Sequence, residues 1–155
     1  MLKRKFVTGS ITSSIYAVVL GFIMSFDSGQ SGLVVYLHTV TLLIPVGLLY
    51  SLPLILSYGV AASFVSEWAG GHIAKIIGQP KAKLLFSGLL HMFFGLIFMW
   101  VSLGAAFIFF AVDLFLKRRK KHFTWGIVYR SFLLPIGIGL SFLIILWVVG
   151  GLVKL

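Results

Sequence analysis

Few residues of this 155-residue chain have side chains suited to chemistry, since it holds 3 acidic residues, 4 histidines and no cysteine. Three candidates, Glu67, His91 and Asp113, stand within or beside long apolar runs. A charged side chain near the centre of a bilayer costs about 2.5–3.5 kcal/mol on insertion scales, so a polar residue kept there usually has a function. We therefore treat these three as candidate intramembrane polar residues.

Each candidate has an ordinary structural role as well as a functional one. His91 lies about 10 Å into its apolar run, where we expect its neutral ring to hydrogen-bond a neighbouring helix, with proton relay or ligand contact as the alternative. Glu67 follows Tyr58 and is expected to be a boundary carboxylate. Asp113 precedes Lys117 by four residues, a spacing that favours an ion pair on one helix.

Enzymes and cofactors leave no recognisable pattern in the sequence. The histidines share no metal-ligand spacing such as H-E-x-x-H, and a chain without cysteine has no thiolate ligand. Phosphate-binding loops, dinucleotide fingerprints and G-x-S-x-G elbows are also missing. We therefore predict no enzymatic activity, no bound metal and no cofactor.

The composition predicts an all-α integral membrane protein. Hydrophobic residues make up 60% of the chain and charged residues 10%, with a mean hydropathy of +1.12, whereas soluble domains are about 25% charged. The net charge of +10 comes from basic residues grouped between apolar runs, which is typical of membrane-flanking loops. We expect the partners to be the lipid bilayer and anionic headgroups, at about 1 kcal/mol per base, and not nucleic acid.

Four apolar runs predict four transmembrane helices within a single membrane domain, 1–155, since about 20 residues cross the hydrocarbon. The expected spans are about 6–26, 33–58, 84–112 and 126–150, with the N-terminus on the cytoplasmic side. A cytoplasmic polar segment at about 59–83 is expected to be a helix extension followed by a loop. A basic segment occupies 117–121.

The third run leaves the number of spans open. One helix over 84–116 would reach about 50 Å, and four spans would place seven basic residues inside and six outside, which fits the positive-inside rule poorly. If the run is a hairpin that turns near 100–104, twelve basic residues lie inside and one outside. Each helix of the hairpin is then shorter than the hydrocarbon thickness. We prefer the four-span bundle and keep five spans as the alternative.

A stripe of small residues follows the first run at every fourth position: Gly9, Ser13, Ala17, Gly21 and Ser25. Helices in lipid associate through close van der Waals contact, for which small residues are suited. The stripe predicts contact with another helix of this chain or, alternatively, with another membrane protein or a second copy.

The middle of the chain, roughly 52–113, carries a set of short motifs: Tyr58-Gly59, Ser63, Ser66-Glu67, His91, Phe94-Gly95, Phe109-Phe110 and Asp113. This set resembles a group of uncharacterised small membrane proteins from Bacillus-type bacteria. The resemblance implies a multi-span inner-membrane protein of bacterial origin and supplies no catalytic residues.

Two functions compete most closely. The preferred one is a non-enzymatic inner-membrane protein that acts through helix–helix contacts as an accessory or regulatory subunit, supported by the stripe of small residues. The alternative is a small transporter or proton-coupled permease component, supported by His91, Glu67 and the prolines of the second span. A membrane enzyme acting on lipid has the least support.

Overall fold

The computed structural model describes residues 1–27, 32–79, 82–96, 99–119 and 122–153, and the regular structure in these ranges is entirely helical. This confirms the all-α prediction. The helices are α1 (Leu2–Asp27), α2 (Leu33–Leu54), α3 (Val60–Ile77), α4 (Ala82–Leu96), α5 (Met99–Arg118) and α6 (Trp125–Val153). Within the described ranges, three helical stretches are long and apolar enough to cross a membrane: Leu2–Phe26, Leu33–Ile77 and Trp125–Gly151.

The second of these stretches is a continuous helix of 45 residues, in which a π-helical turn, Ile55–Gly59, joins α2 to α3. The irregularity begins two residues after Pro53, whose ring nitrogen cannot donate a backbone hydrogen bond. The Ser57 hydroxyl donates to the Pro53 carbonyl at 2.7 Å, which satisfies part of the disturbed backbone. The helix ends at Gly78, which adopts a left-handed φ of 73° as glycine readily does. Of the polar segment 59–83, residues 60–77 are therefore helical and α4 begins at Ala82, while residues 80–81 fall outside the described ranges.

The expectation of one helix over 84–112 is wrong, because this segment forms α4 and α5. A Cβ atom added to Gly88 would lie 2.9 Å from the Phe110 ring, and one added to Gly95 would lie 2.6 Å from the Ala106 Cβ. These pairs show that the two helices run antiparallel. Gly88 and Gly95 lie seven residues apart, on one face of α4, so α5 can approach closely. The segment 100–104, where a turn was expected, lies inside α5, and residues 97–98 fall outside the described ranges.

The first helix is the centre of the bundle. It runs antiparallel to the long helix, with Gly21 against Ile44 and Ala17 against Gly47. It runs parallel to α6, since the rings of Phe6 and Trp125 lie 6.5 Å apart and, further along both helices, the Ser10 hydroxyl donates to the Ser131 carbonyl at 2.6 Å. One buried apolar cluster lies between these three helices and consists of Ala17, Val40, Ile44 and Leu48. A second cluster joins α5 to the π-helical turn and consists of Ile55, Val60 and Phe109.

These directions bring five helix ends together. The first residues of α1, α4 and α6 meet the last residues of α3 and α5. We call this the basic end, because most described lysines and arginines lie there: Lys3, Arg4, Lys5, Lys75, Lys83, Lys117, Arg118 and Arg119. Lys81, Lys120 and Lys121 fall outside the described residues.

Gly70 and Gly71 offer a matched test of the contact between α3 and α4. A Cβ atom on Gly70 would lie 2.9 Å from the Ser87 nitrogen and 3.0 Å from the Lys83 carbonyl oxygen, whereas one on Gly71 would meet only the end of the Lys83 side chain at 3.8 Å. Both changes to alanine improve helix propensity by up to about 1 kcal/mol, but only Gly70→Ala forces two backbones apart.

We therefore predict that Gly70→Ala lowers the free energy of unfolding by about 1–3 kcal/mol relative to Gly71→Ala, the usual cost of overpacking. The measurement is denaturation of the purified protein in mild detergent, followed by circular dichroism. Equal stability of the two variants would contradict this packing.

Candidate functional site

Five charged side chains from three helices meet inside the basic end. Arg4 and Lys5 come from α1, Glu67 from α3, and Asp113 and Lys117 from α5. We call these five residues the ion cluster. Its formation depends on the hairpin of α4 and α5, because only a helix that returns to the N-terminal end of α1 can carry Asp113 there.

Asp113 is held by the first helix. Its Oδ1 lies 2.9 Å from Arg4 Nε and its Oδ2 lies 2.8 Å from Lys5 Nζ. The Thr8 hydroxyl donates to Oδ1 at 3.3 Å. The ion pair expected between Asp113 and Lys117 does not form, because Asp113 faces α1 while Lys117 reaches across to α3. Spacing along one helix therefore indicated the wrong partner.

Glu67 is a full member of the cluster rather than a separate boundary carboxylate. Its Oε2 lies 3.1 Å from Lys5 Nζ and 3.3 Å from Arg4 Nη2, and its Oε1 lies 3.1 Å from Lys117 Nζ. Its side chain is 12% exposed. Both carboxylates of the cluster are thus saturated with cationic donors, which offsets the cost of burying them.

Lys5 is the most deeply buried charge of the cluster, with 1% of its surface exposed. Its ammonium group reaches both carboxylates, and it donates a hydrogen bond to the Ser63 hydroxyl. An ammonium group has three donors, and these contacts use all of them. Lys5 therefore ties α1 to α3 and α5 at a single atom.

A partly open cavity of about 330 Å³ lies against the ion cluster. We call it the charged cavity. Its charged lining consists of four basic side chains and two carboxylates: Lys5, Lys83, Lys117, Arg118, Glu67 and Asp113. Because Arg4 also pairs with both carboxylates, the surroundings of this cavity keep a surplus of positive charge.

A second cavity, of about 310 Å³, lies further from the basic end. We call it the apolar cavity. Leu54, Ile55, Ala105, Ala106 and Phe109 line it together with Tyr16, Tyr58, Ser51 and Ser102. The Tyr58 hydroxyl donates to the Phe94 carbonyl at 2.8 Å, whereas the buried Ser51 hydroxyl has no hydrogen-bond partner among the described residues.

His91 lines both cavities. It is 3% exposed, and its ring centroid lies 5.2 Å from that of Phe109. The backbone of Ala62 lies near the ring, yet neither ring nitrogen makes a hydrogen bond of ordinary geometry with any described atom. The neighbouring helix α3 thus offers the ring only the Ala62 backbone, at poor hydrogen-bond geometry, and a buried polar group without a well-formed hydrogen bond is costly.

The stripe of small residues on α1 packs inside the chain. A Cβ atom added to Gly21 would lie 2.5 Å from the Ile44 side chain, and one added to Gly9 would lie 2.9 Å from the Leu56 side chain. Ala17 has no exposed surface. Ser13 and Ser25 donate to carbonyls of their own helix, at 2.9 and 2.6 Å. The face of α1 that carries the small-residue stripe, which we considered for a partner protein, is thus covered by the long helix.

Sequence reasoning missed Arg4 and Lys5 as site residues. Both belong to a basic run at the start of an apolar segment, a pattern typical of flanking loop charge. The sequence signal for the cluster lay in its two carboxylates. Glu67 and Asp113 border apolar runs, and buried carboxylates require cationic partners from other helices.

Removing one charge from the centre of the cluster should cost more than removing one from its edge. Asp113→Asn leaves the buried Lys5 and Arg4 with one carboxylate fewer, and breaking a buried pair usually costs about 3–5 kcal/mol. Lys117→Gln removes a side chain that is 44% exposed, and exposed pairs contribute about 0–1 kcal/mol. We predict this ranking for unfolding in mild detergent at neutral pH. Similar losses for the two variants would show that Asp113 is not the centre of the cluster.

Among the described residues, no group of three or more histidine or acidic side chains is placed to hold a metal ion. Comparisons with protein-family models, with curated proteins and with solved structures found no match for this chain.

Proposed function

We propose that the chain crosses the bacterial inner membrane five times, with its N-terminus and its basic end on the cytoplasmic side. Support comes from charge, because with this direction for each helix twelve basic residues lie inside and one outside, in keeping with the positive-inside rule. The 15 residues of α4 reach only about 22 Å. Local thinning of the bilayer accommodates such a mismatch at modest cost.

We further propose that the protein is a non-enzymatic component of a permease that binds an anion-bearing ligand from the cytoplasmic side. The charged cavity is the observation that carries this proposal. Its size suits a small polar group, and its position at the basic end suits a ligand that arrives from the cytoplasm or the inner headgroup layer.

The distribution of charge argues for an anion. Glu67 and Asp113 are already paired with Arg4, Lys5 and Lys117, so their negative charge is neutralised inside the cluster. Lys83 and Arg118 line the same cavity and take no part in those ion pairs. Arginine and lysine are the side chains that bind phosphate and carboxylate groups, through charge-assisted hydrogen bonds.

His91 adds a reason for a ligand rather than a purely structural cluster. A ring with 3% exposure and no well-formed hydrogen bond to the described atoms lines the charged cavity. In a protein core that binds no ligand, a buried polar group usually has a hydrogen-bond partner. A bound anion or the water that accompanies it supplies the missing partner.

The second candidate function is an accessory subunit, now supported by α6 instead of the small-residue stripe. One side of α6 packs against α1 and α2, while Leu133, Ile144 and Trp147 on it are 65%, 64% and 81% exposed. This surface suits lipid or the helix of another membrane protein. These three exposed side chains are apolar, so they do not favour one membrane partner over another.

The anion proposal is tested with glycerol 3-phosphate, a soluble phosphate monoester, bound to the full chain in uncharged detergent and measured by equilibrium dialysis. The double variant Lys83→Gln/Arg118→Gln should bind at least about tenfold more weakly, since one charge-assisted hydrogen bond contributes about 1.5–3 kcal/mol. The matched control, Lys75→Gln/Arg119→Gln, removes the same charge from exposed positions outside the cavity and should bind as the unmodified chain does.

Equal weakening by both double variants would show a diffuse effect of charge rather than a site. Absence of measurable binding by the unmodified chain at millimolar ligand would overturn the proposal.

A further inference from the structure

The two cavities adjoin, because their linings meet on three helices. On α3, Ala62 lines the apolar cavity and Ser63 lines the charged cavity; on α5, Phe109 and Phe110 divide in the same way. His91 on α4 lines both. A polar compartment and an apolar compartment of similar volume therefore lie end to end along the bundle.

We propose that the ligand is an anionic amphiphile, a phosphate-bearing lipid whose headgroup lies between Lys83 and Arg118 and whose acyl chain enters the apolar cavity. This inference rests on the proposed function, because it names the class of ligand for the same charged cavity. The headgroup meets surplus positive charge, and the chain meets Leu54, Ala105 and Phe109.

The shape of the site favours an amphiphile over a free anion. A soluble anion needs only the charged cavity and gives no reason for an apolar one beside it. Bound ligands usually rest in mostly apolar pockets in which a few polar groups fix their orientation. Here His91, which has no hydrogen-bond partner among the described atoms, stands where the headgroup would join the chain.

The location of the charged cavity fits the same source. Under the proposed orientation the basic end lies at the inner headgroup layer, where anionic lipids collect and attract basic side chains. A lipid can reach the cavity from that layer without its acyl chain leaving an apolar environment. The hydrophobic effect then opposes neither entry nor exit, so the positive charge selects the ligand.

The test compares two ligands that share a phosphate headgroup: palmitoyl lysophosphatidic acid and glycerol 3-phosphate. Native mass spectrometry of the full chain, released from uncharged detergent, counts bound lipid, and equilibrium dialysis measures the soluble ligand. Monopalmitoylglycerol, which has the chain without the phosphate, is the uncharged comparator. We expect lysophosphatidic acid to be retained at least about tenfold better than monopalmitoylglycerol.

Ala105→Leu fills the apolar cavity and should reduce retention of lysophosphatidic acid about tenfold while leaving the binding of glycerol 3-phosphate unchanged. The matched control is Ala111→Leu, the same change at an exposed position of α5 that lines neither cavity; it should alter neither ligand. Ser102→Leu, which fills the same cavity from another turn, replaces Ala105→Leu if that variant does not fold.

The outcomes separate this inference from the function on which it rests. Binding of glycerol 3-phosphate that depends on Lys83 and Arg118, together with retention of lysophosphatidic acid unaffected by Ala105→Leu, would overturn the amphiphile and keep the anion site. Retention of monopalmitoylglycerol equal to that of lysophosphatidic acid would overturn the amphiphile as well. Failure of both phosphate ligands to bind would overturn both proposals.

Discussion

Buried charge must be neutralised where water is scarce, and this constraint organises the whole bundle. Lys5 is 1% exposed, and no single carboxylate satisfies its three donors. Glu67, Asp113 and Ser63 together do so, and they come from two other helices. Three helices must therefore meet at one point, which fixes the direction of α5 and requires 84–116 to fold back on itself.

Close packing of helices makes this convergence possible. Gly70, Gly88 and Gly95 occupy positions where a Cβ atom would lie within about 3 Å of a neighbouring helix. At Gly70 the backbones of α3 and α4 meet directly, while Gly88 and Gly95 make room for Phe110 and Ala106 of α5. In lipid such contacts replace the hydrophobic drive that holds soluble bundles together. The cavities remain on either side of His91 and Phe109, where larger side chains and a histidine without a hydrogen-bond partner among the described atoms interrupt the packing.

The fold class could be predicted from the sequence, because apolar runs and flanking bases report directly on a membrane environment. The fold-back of 84–116 was harder to predict. The apolar pattern is continuous through Trp100 and Gly104 with no charge or proline to mark a turn, and only the distribution of basic residues favoured a hairpin. Gly88 and Gly95, which accommodate Phe110 and Ala106, explain it once the partner helix is known.

The site was half predictable for a similar reason. Glu67, His91 and Asp113 stood out because polar residues are costly in apolar surroundings, and the charged cavity brings all three together. Their partners were not predictable, since Arg4 and Lys5 look like loop charge in one dimension. The four-residue spacing of Asp113 and Lys117 suggested a local pair, whereas tertiary contacts direct the two side chains to different helices. Pairings across helices are invisible to any rule based on spacing along one helix.

The most direct test of this arrangement is the side of the membrane on which the end of α5 lies. The chain has no native cysteine, so Leu33→Cys, Lys75→Cys and Arg119→Cys can each be labelled in intact cells with a membrane-impermeant thiol reagent. With the proposed cytoplasmic N-terminus, a cluster formed by α1, α3 and α5 predicts that Leu33→Cys is labelled from outside, and that Lys75→Cys and Arg119→Cys are labelled only after lysis. Labelling of Arg119→Cys in intact cells while Lys75→Cys stays protected would place the ends of α3 and α5 on opposite sides of the membrane and contradict the cluster.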